Sequence, residues 1–293
     1  MPGVGPVRTV AVLLAVLALA ACADQPGGAG GPAPSPTGAA PPDDPGALVL
    51  RVDQVGGYAT PGADAGRLPM VSVYADGRVF GLGPVAAIYP GFAWPNLQVR
   101  QIPVEQVQDL VARALAAGVA DTTDPGSPPL ADVTTTRFTL VTAEERFVRE
   151  VHALAEGVGA EGLTDGQRAV RAELLSLRDE LLEVAQPLDG SPAVYQPPAV
   201  AAVVSPWSAP EDDGSGTDFS GPPRAWPGPP LPGDPIGPDV GCVVATGDEA
   251  TAVHAAAGRA TVLTPWQTPD GALWSVTFRP LLPDESSCAD LLR

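Results

Sequence analysis

Apolar and polar positions alternate where the first regular stretch of the chain begins: Leu48, Leu50 and Val52 alternate with Val49, Arg51 and Asp53. A period of two separates the two sets onto opposite faces, so residues 48–53 read as a half-buried strand. Residues 70–75 and 78–82 flank Asp76-Gly77, a pair that closes a tight hairpin because glycine takes positive φ freely. The stretch YPGFAWPN then reads as a long loop. Pro103 can open a helix, since its missing N–H would be unpaired in a first turn. Val104, Val107, Val111, Ala114 and Leu115 recur at helical spacing, and Gly118 stands where a helix C-terminus wants glycine. Residues 133–141 and 146–154 form a second hairpin rich in threonine and valine. Thr164 and Gln167 have capping-box spacing; Val170, Leu174, Leu177 and Leu181 make the buried stripe of a long helix that Pro187 ends.

The pattern restarts beyond Pro187. Residues 199–205 read as a strand that is apolar on both faces, and the proline-rich residues 208–239 as an extended loop. A strand at 242–245 leads into an alanine-rich helix ending at Gly258, with Thr246 and Glu249 as a second capping box. Residues 260–266 and 273–279 form a hairpin around Thr268-Pro269-Asp270-Gly271. The predicted fold class is α+β, a mostly antiparallel sheet with two or three packed helices. Its units are residues 47–187 and 188–293, two ββαββ-like arrangements that could share one sheet.

Composition and charge narrow the function classes. The 293 residues are 45% apolar, enough for a core. The 36 prolines and 33 glycines imply long stretches without regular structure. Acids outnumber bases 34 to 16, every base is arginine, and the net charge is −18. Such a chain has no basic patch to replace phosphate counterions, which argues against nucleic acid, and it would be repelled by an anionic bilayer.

The N-terminus carries the most specific motif. Residues 9–19 form an eleven-residue, almost wholly apolar run after a short segment bearing Arg8. A bilayer span needs roughly 20 residues, so the run has the length of a signal-peptide core instead. Leu19-Ala20-Ala21-Cys22 resembles the lipobox of bacterial lipoproteins. That resemblance implies a signal peptide at 1–21, acylation of Cys22, and residues 22–46 as a flexible tether of glycine, proline and alanine. With Cys22 lipidated, Cys242 and Cys288 remain as an even pair, expected to form a disulfide in an oxidising compartment; two buried free thiols are the alternative. Further stretches, VSVYADGRV at 71–79, IYPG at 88–91 and RPLLPDE at 279–285, are similar to those of uncharacterised lipoproteins from high-GC actinobacteria. The similarity covers most of residues 47–293 and brings no activity with it.

Candidate chemistry is sparse. No Gly-x-Ser-x-Gly elbow is present, and His152 sits in a strand pattern without an activated nucleophile beside it. His254 lies mid-helix among alanines. The acidic pairs Glu144-Glu145 and Asp179-Glu180 read as solvated, whereas Asp284-Glu285 reads as capping the terminal segment. The acidic run at 211–218 fails the calcium-loop test, because the sixth residue from Asp213 is Asp218 rather than glycine. No catalytic residue, metal site or cofactor is therefore assigned. Trp94-Pro95 and Trp226-Pro227, with Tyr89 near the first, form the candidate binding surface, since exposed aromatics stack on sugar rings or proline-rich peptides. The alternative is that long loops lie down by tucking an aromatic against the sheet. The expected protein is lipid-anchored on the extracytoplasmic face of the cell membrane and serves as a non-enzymatic binding or envelope-support module. Its partner would be an envelope protein or cell-wall ligand. A hydrolase of envelope glycans or peptides is the alternative reading.

Overall fold

The computed structural model describes residues 40–186, 193–210 and 219–292. The signal peptide, Cys22, most of the tether and the acidic run at 211–218 lie outside the described residues. Within them the chain is α+β, with two separate sheets rather than one shared sheet.

The first segment, joined by a short strand from beyond its expected boundary at 187, builds a seven-stranded sheet from β1 (Leu48–Val55), β2 (Val71–Tyr74), β3 (Arg78–Leu82), β4 (Leu97–Gln101), β5 (Thr135–Val141), β6 (Arg146–His152) and β7 (Ala193–Val194). Its order is β6-β5-β1-β2-β3-β4-β7 and every pairing is antiparallel. Alternation along β1 and β5 sends Leu50, Val52, Phe138 and Leu140 to one face. There they meet α2 (Val104–Ala116) and α3 (Asp165–Ala185) through Val107, Leu110, Val111, Leu174, Leu177 and Leu181. Each such side chain contributes roughly 1.5–3 kcal/mol on leaving water, which makes this the main core. Val104, assigned to the apolar stripe of α2, is instead exposed at the first turn, and Leu110 takes its place inside.

The termini of these helices follow from their sequences. Thr164 Oγ1 accepts from the Gln167 N–H while the Gln167 side chain accepts from the Thr164 N–H, a complete capping box. At the other helix, the N–H of Val119 donates to Ala114 O and that of Gly118 to Leu115 O. Gly118 has φ 85°, so α2 ends in a Schellman turn. Gly77 also has positive φ, and a Cβ there would run into the Ile102 carbonyl; the β2–β3 turn requires glycine.

The second sheet comprises β8 (Ala199–Pro206), β9 (Arg224–Ala225), β10 (Asp234–Gly237), β11 (Val240–Thr246), β12 (Trp266–Gln267) and β13 (Leu273–Pro280), in the order β10-β11-β8-β13-β12-β9. Its pairs are antiparallel except β9 with β12. Residues 199–204 of β8 are apolar without a break because both faces of the strand are covered. Val200, Ala202 and Val204 lie under α4 (Gly247–Ala257), while Ala201 and Val203 join Val240 and Cys242 on the reverse. In each sheet the first strand of the segment is central, flanked by a strand from before the helix and one from the hairpin after it. The hairpin enters in opposite order, however: β5 is inner in the first sheet, whereas β13, the second strand of its hairpin, is inner in the second.

Three local expectations are corrected. Thr246 makes no side-chain cap bond to α4; the first turn of that helix carries Asp248 and Glu249, which complement the helix dipole instead. Residues 260–264 turn rather than extend, so the final hairpin has only Trp266–Gln267 opposite β13. The long loop at 208–239 is not wholly irregular, since β9 and β10 lie in it; β4, which the sequence reading left unassigned, follows the YPGFAWPN loop directly.

The short helix α1 (Ala63–Gly66) and the segment after β13 lie between the two sheets. Leu282 packs with Leu48, Tyr74 and Phe80 of the first sheet, whereas the adjacent Leu281 packs with Ala201 and Val203 of the second. Cys242 of β11 and Cys288 are joined by a disulfide, as expected, and Cys288 opens a 3₁₀ turn at Cys288–Leu292. No helix among the described residues is long and apolar enough to cross a membrane.

Candidate functional site

Two places on the molecule present unusual chemistry. The first is a cleft of about 480 Å³ on the polar face of β1, β5 and β6, walled on its other side by α1 and the C-terminal segment. The alternation that buries Leu50 and Val52 turns Arg51 and Asp53 to this face, where the pairing sets Arg51 beside Thr139 and Asp53 beside Arg137. Arg51 donates to Asp284 Oδ1 at 2.7 Å, to Tyr74 Oη at 3.1 Å and to Ser72 Oγ at 3.0 Å, while the Tyr74 hydroxyl donates to Asp284 at 2.6 Å. One residue on, Glu285 accepts from Arg279 at 2.7 Å and from the Leu282 N–H at 2.8 Å. The Arg279 and Glu285 side chains are each only 3% exposed. The Asp284-Glu285 pair thus ties the end of the chain to both sheets.

The carboxyls of the cleft are pulled in opposite directions. Burial alone would raise Asp284, but the Arg51 guanidinium and hydrogen bonds from Tyr74 and Arg51 outweigh it and hold the group below the usual carboxylate range. Asp53 is partly buried and accepts no hydrogen bond from the described residues. Burial therefore wins over Arg51, Arg137 and Arg279, and its pKa lies above the ordinary value. Tyr74 is driven up by burial and by the neighbouring Asp284.

The second place is the loop at 83–96. Between Arg78 and Arg100 the chain carries no charged residue, although its net charge is −18. Val85 is 81% exposed, Tyr89 69% and Phe92 62%, and Ile88 is exposed beside them. The loop is held to the second segment through the Phe92–Thr261 bridge and the Val262 N–H to Gly91 O bond, which brings exposed Val262 to the patch. Phe219 meets the Tyr89 ring edge-on at 5.4 Å. Nearby polar side chains are engaged internally, Asn96 with the Pro84 carbonyl and Gln98 with Asn96.

Of the three expected surface aromatics, the structure brings only Tyr89 to this patch. Trp94 is half-buried, stacked on the His254 ring at 4.2 Å and 29°, and packed with Phe278. Trp226 is also half-buried. Its Nε1 donates to Pro229 O at 2.6 Å, and its ring packs against Trp266 and Phe278. Both tryptophans pin their loops to the core under α4. Sequence reading passed over Phe219, Val262 and Ile88; the long uncharged stretch was the available signal for Ile88, while the others arrive from distant segments.

No family model matches the chain, and neither curated proteins nor solved structures supply a match. The remaining candidates resolve locally. His152 Nε2 bonds the Leu130 carbonyl at 2.8 Å, and burial lowers the pKa of His254. Glu144 and Glu145 are exposed at a hairpin tip, and Asp179 and Glu180 pair with Arg178 and Arg113. Among the described residues no group of histidine, cysteine, aspartate and glutamate is placed to hold a metal ion.

Proposed function

We propose that this protein is a lipoprotein held by Cys22 to the extracytoplasmic face of the cell membrane, and that it is a binding module rather than an enzyme. It would dock an envelope protein on the patch formed by Ile88, Tyr89, Phe92, Phe219 and Val262. The observation that carries this reading is the uncharged, exposed aromatic surface on a strongly acidic chain, since such patches mark interaction sites. A sugar ligand fits less well, because the polar side chains beside the loop already bond internally and leave hydroxyl groups unmatched.

Placement supports the same reading. Residues 40–47 pack at the end of the first sheet that carries the β5–β6 and β2–β3 turns, through bonds to Ala143, Ala75 and Asp76. The loop at 83–96 leaves β3 at the opposite end of that sheet. The patch therefore lies at the end of the first sheet opposite residues 40–47. The hydrolase alternative needs two carboxyls free to act across a cleft, whereas Asp284 and Glu285 are both bound to arginine.

Two measurements test the reading. Cys22→Ser should release the protein from membranes and remove the acyl mass from its N-terminal peptide; retention on the membrane would defeat the anchor. A photo-crosslinking residue at position 88 should trap a discrete partner in cells. The Tyr89→Ser/Phe92→Ser double variant should lose that band while remaining folded. An unchanged band would rule out the patch.

A further inference from the structure

A strand at the edge of a sheet leaves a row of N–H and C=O groups unpaired, and proteins usually blunt such edges. Among the described residues the two sheets have four edges. β7 and β9 are each two residues long, and β10 carries Pro235 beside an irregular register. β6 differs from all three: it runs for seven residues along β5 with neither a bulge nor a proline.

The ladder shows which groups of β6 are open. The Thr142 N–H donates to Glu145 O and the Ala153 N–H to Thr134 O, which frames the β5–β6 pairing at both ends. In an antiparallel ladder, hydrogen-bonded pairs alternate with pairs that are not. Phe147, Arg149 and Val151 therefore bond to β5, whereas Arg146, Val148 and Glu150 turn their N–H and C=O groups outward. Those outward groups have no partner among the described residues.

The same three residues place their side chains on one face of the strand, all of them exposed, in the order cation, valine, carboxylate. That order is its own complement when reversed. Two copies of β6 running antiparallel about Val148 set Arg146 of each copy against Glu150 of the other, on either side of a Val148–Val148 contact. The pairing also exchanges the open N–H and C=O groups of all three residues, because the two-fold falls on an outward-facing one. Arg146 makes no ion pair or hydrogen bond among the described residues, and Glu150 accepts from Arg137 through Oε1, which leaves its second oxygen for the other copy. Moving the two-fold by two residues either way would oppose Glu150 to Glu150 or Arg146 to Arg146, so charge selects one register.

We propose that this chain pairs with a second copy of itself along β6, joining two seven-stranded sheets into one across a two-fold at Val148. Strands β5, β1 and β2 separate this edge from β3, where the aromatic loop begins, so self-pairing and the docking role can fail separately.

The test is oxidative crosslinking of the full-length protein in membranes by copper phenanthroline, with Val148→Cys as the probe. In a hydrogen-bonded antiparallel pair the Cα atoms stand about 5.5 Å apart, within disulfide reach. Val148→Cys should give a band of twice the monomer mass, whereas Val194→Cys, equally exposed on the opposite edge strand, should not. In the Val148→Cys background, Arg146→Glu should weaken the band by about tenfold, since two attractive pairs become repulsive. Co-expressing that chain with one carrying Glu150→Arg should restore the band as a mixed dimer. Circular dichroism on each variant separates lost pairing from lost folding. No doubled band from Val148→Cys, an equal band from Val194→Cys, an undiminished band in Arg146→Glu, or two folded variants that fail to restore it would each overturn the proposal. So would a band of another mass, which would give this edge to a different protein.

Discussion

The cleft beside Asp53 and the loop at 83–96 stand at opposite electrostatic extremes of one chain. The cleft gathers ionised side chains from β1, β5, β6, β13 and the C-terminal segment, and it buries several of them. The loop sits in a stretch of 21 residues, 79–99, without a charge and exposes its aromatics to water. Charge inside and apolar surface outside both run against the usual partition, but for different reasons. Apart from Asp53, the most buried charges are paired, Arg51 with Asp284 and Arg279 with Glu285, so they fasten elements together. The exposed apolar groups have no counterpart among the described residues, so they are available to another molecule. The contrast separates groups that hold the fold from groups the fold displays.

Substitutions should separate the two in the same way. Arg279→Ala leaves Glu285 buried without its cation and should cost about 3–5 kcal/mol in urea unfolding. Replacing both by apolar residues, Arg279→Met with Glu285→Leu, should restore most of that loss. An equal loss in single and double variants would show that packing, not charge, makes the joint.

Removing the disulfide should come next. Cys242 and Cys288 are 46 residues apart, and the Cys242→Ser/Cys288→Ser pair should lower stability by about 2–4 kcal/mol, read by the same unfolding curves. The C-terminal wall of the cleft should then exchange amide hydrogens faster, while the loop at 83–96 is unaffected. Trp226→Ala should cost about 2–3 kcal/mol, because its ring packs on Trp266 and Phe278 rather than standing free. A loss near zero in thermal or urea unfolding would return Trp226 to the list of surface groups.

The pH dependence distinguishes the two cleft aspartates. The folded-state pKa of Asp284 is depressed, so its contribution is present above the unfolded value of about 3.9 and is lost as pH falls through the folded value. The folded-state pKa of Asp53 is raised, so ionising it costs stability as pH rises through that value. Asp53→Asn should thus stabilise the protein at pH 7, with the gain gone below about pH 4. Asp284→Asn should destabilise it at pH 7 and matter little at low pH. Unfolding curves for both variants across that range would show whether the signs are opposite. The smallest effect belongs to the loop. Tyr89→Ser with Phe92→Ser should change stability by no more than about 0.5 kcal/mol, since side chains this exposed contribute little to the fold. A larger loss would mean the patch is part of the core.

Local physics alone determined much of this protein. Alternation in residues 50–53, the Asp76-Gly77 turn, the capping box at Thr164 and the glycine at 118 each act within a few residues, and each appears in the structure. A bulge between Leu48 and Leu50, however, sends Leu48 to the cluster of Tyr74 and Phe80 and Val49 into the main core. The alternation also put Arg51 and Asp53 on the same face, but nothing local marked that face as the wall of a cleft. The tertiary structure decided the rest. It chose which strands became neighbours, built two sheets with Ala193–Val194 joining the first, and brought Asp284 and Glu285 to arginines more than two hundred residues away or six residues back. It also tucked Trp94 and Trp226 inward while leaving Tyr89 out, a choice the shared tryptophan-proline motif does not encode. A side chain's local preferences are set by its own backbone, but its exposure is set by whatever the distant chain lays over it.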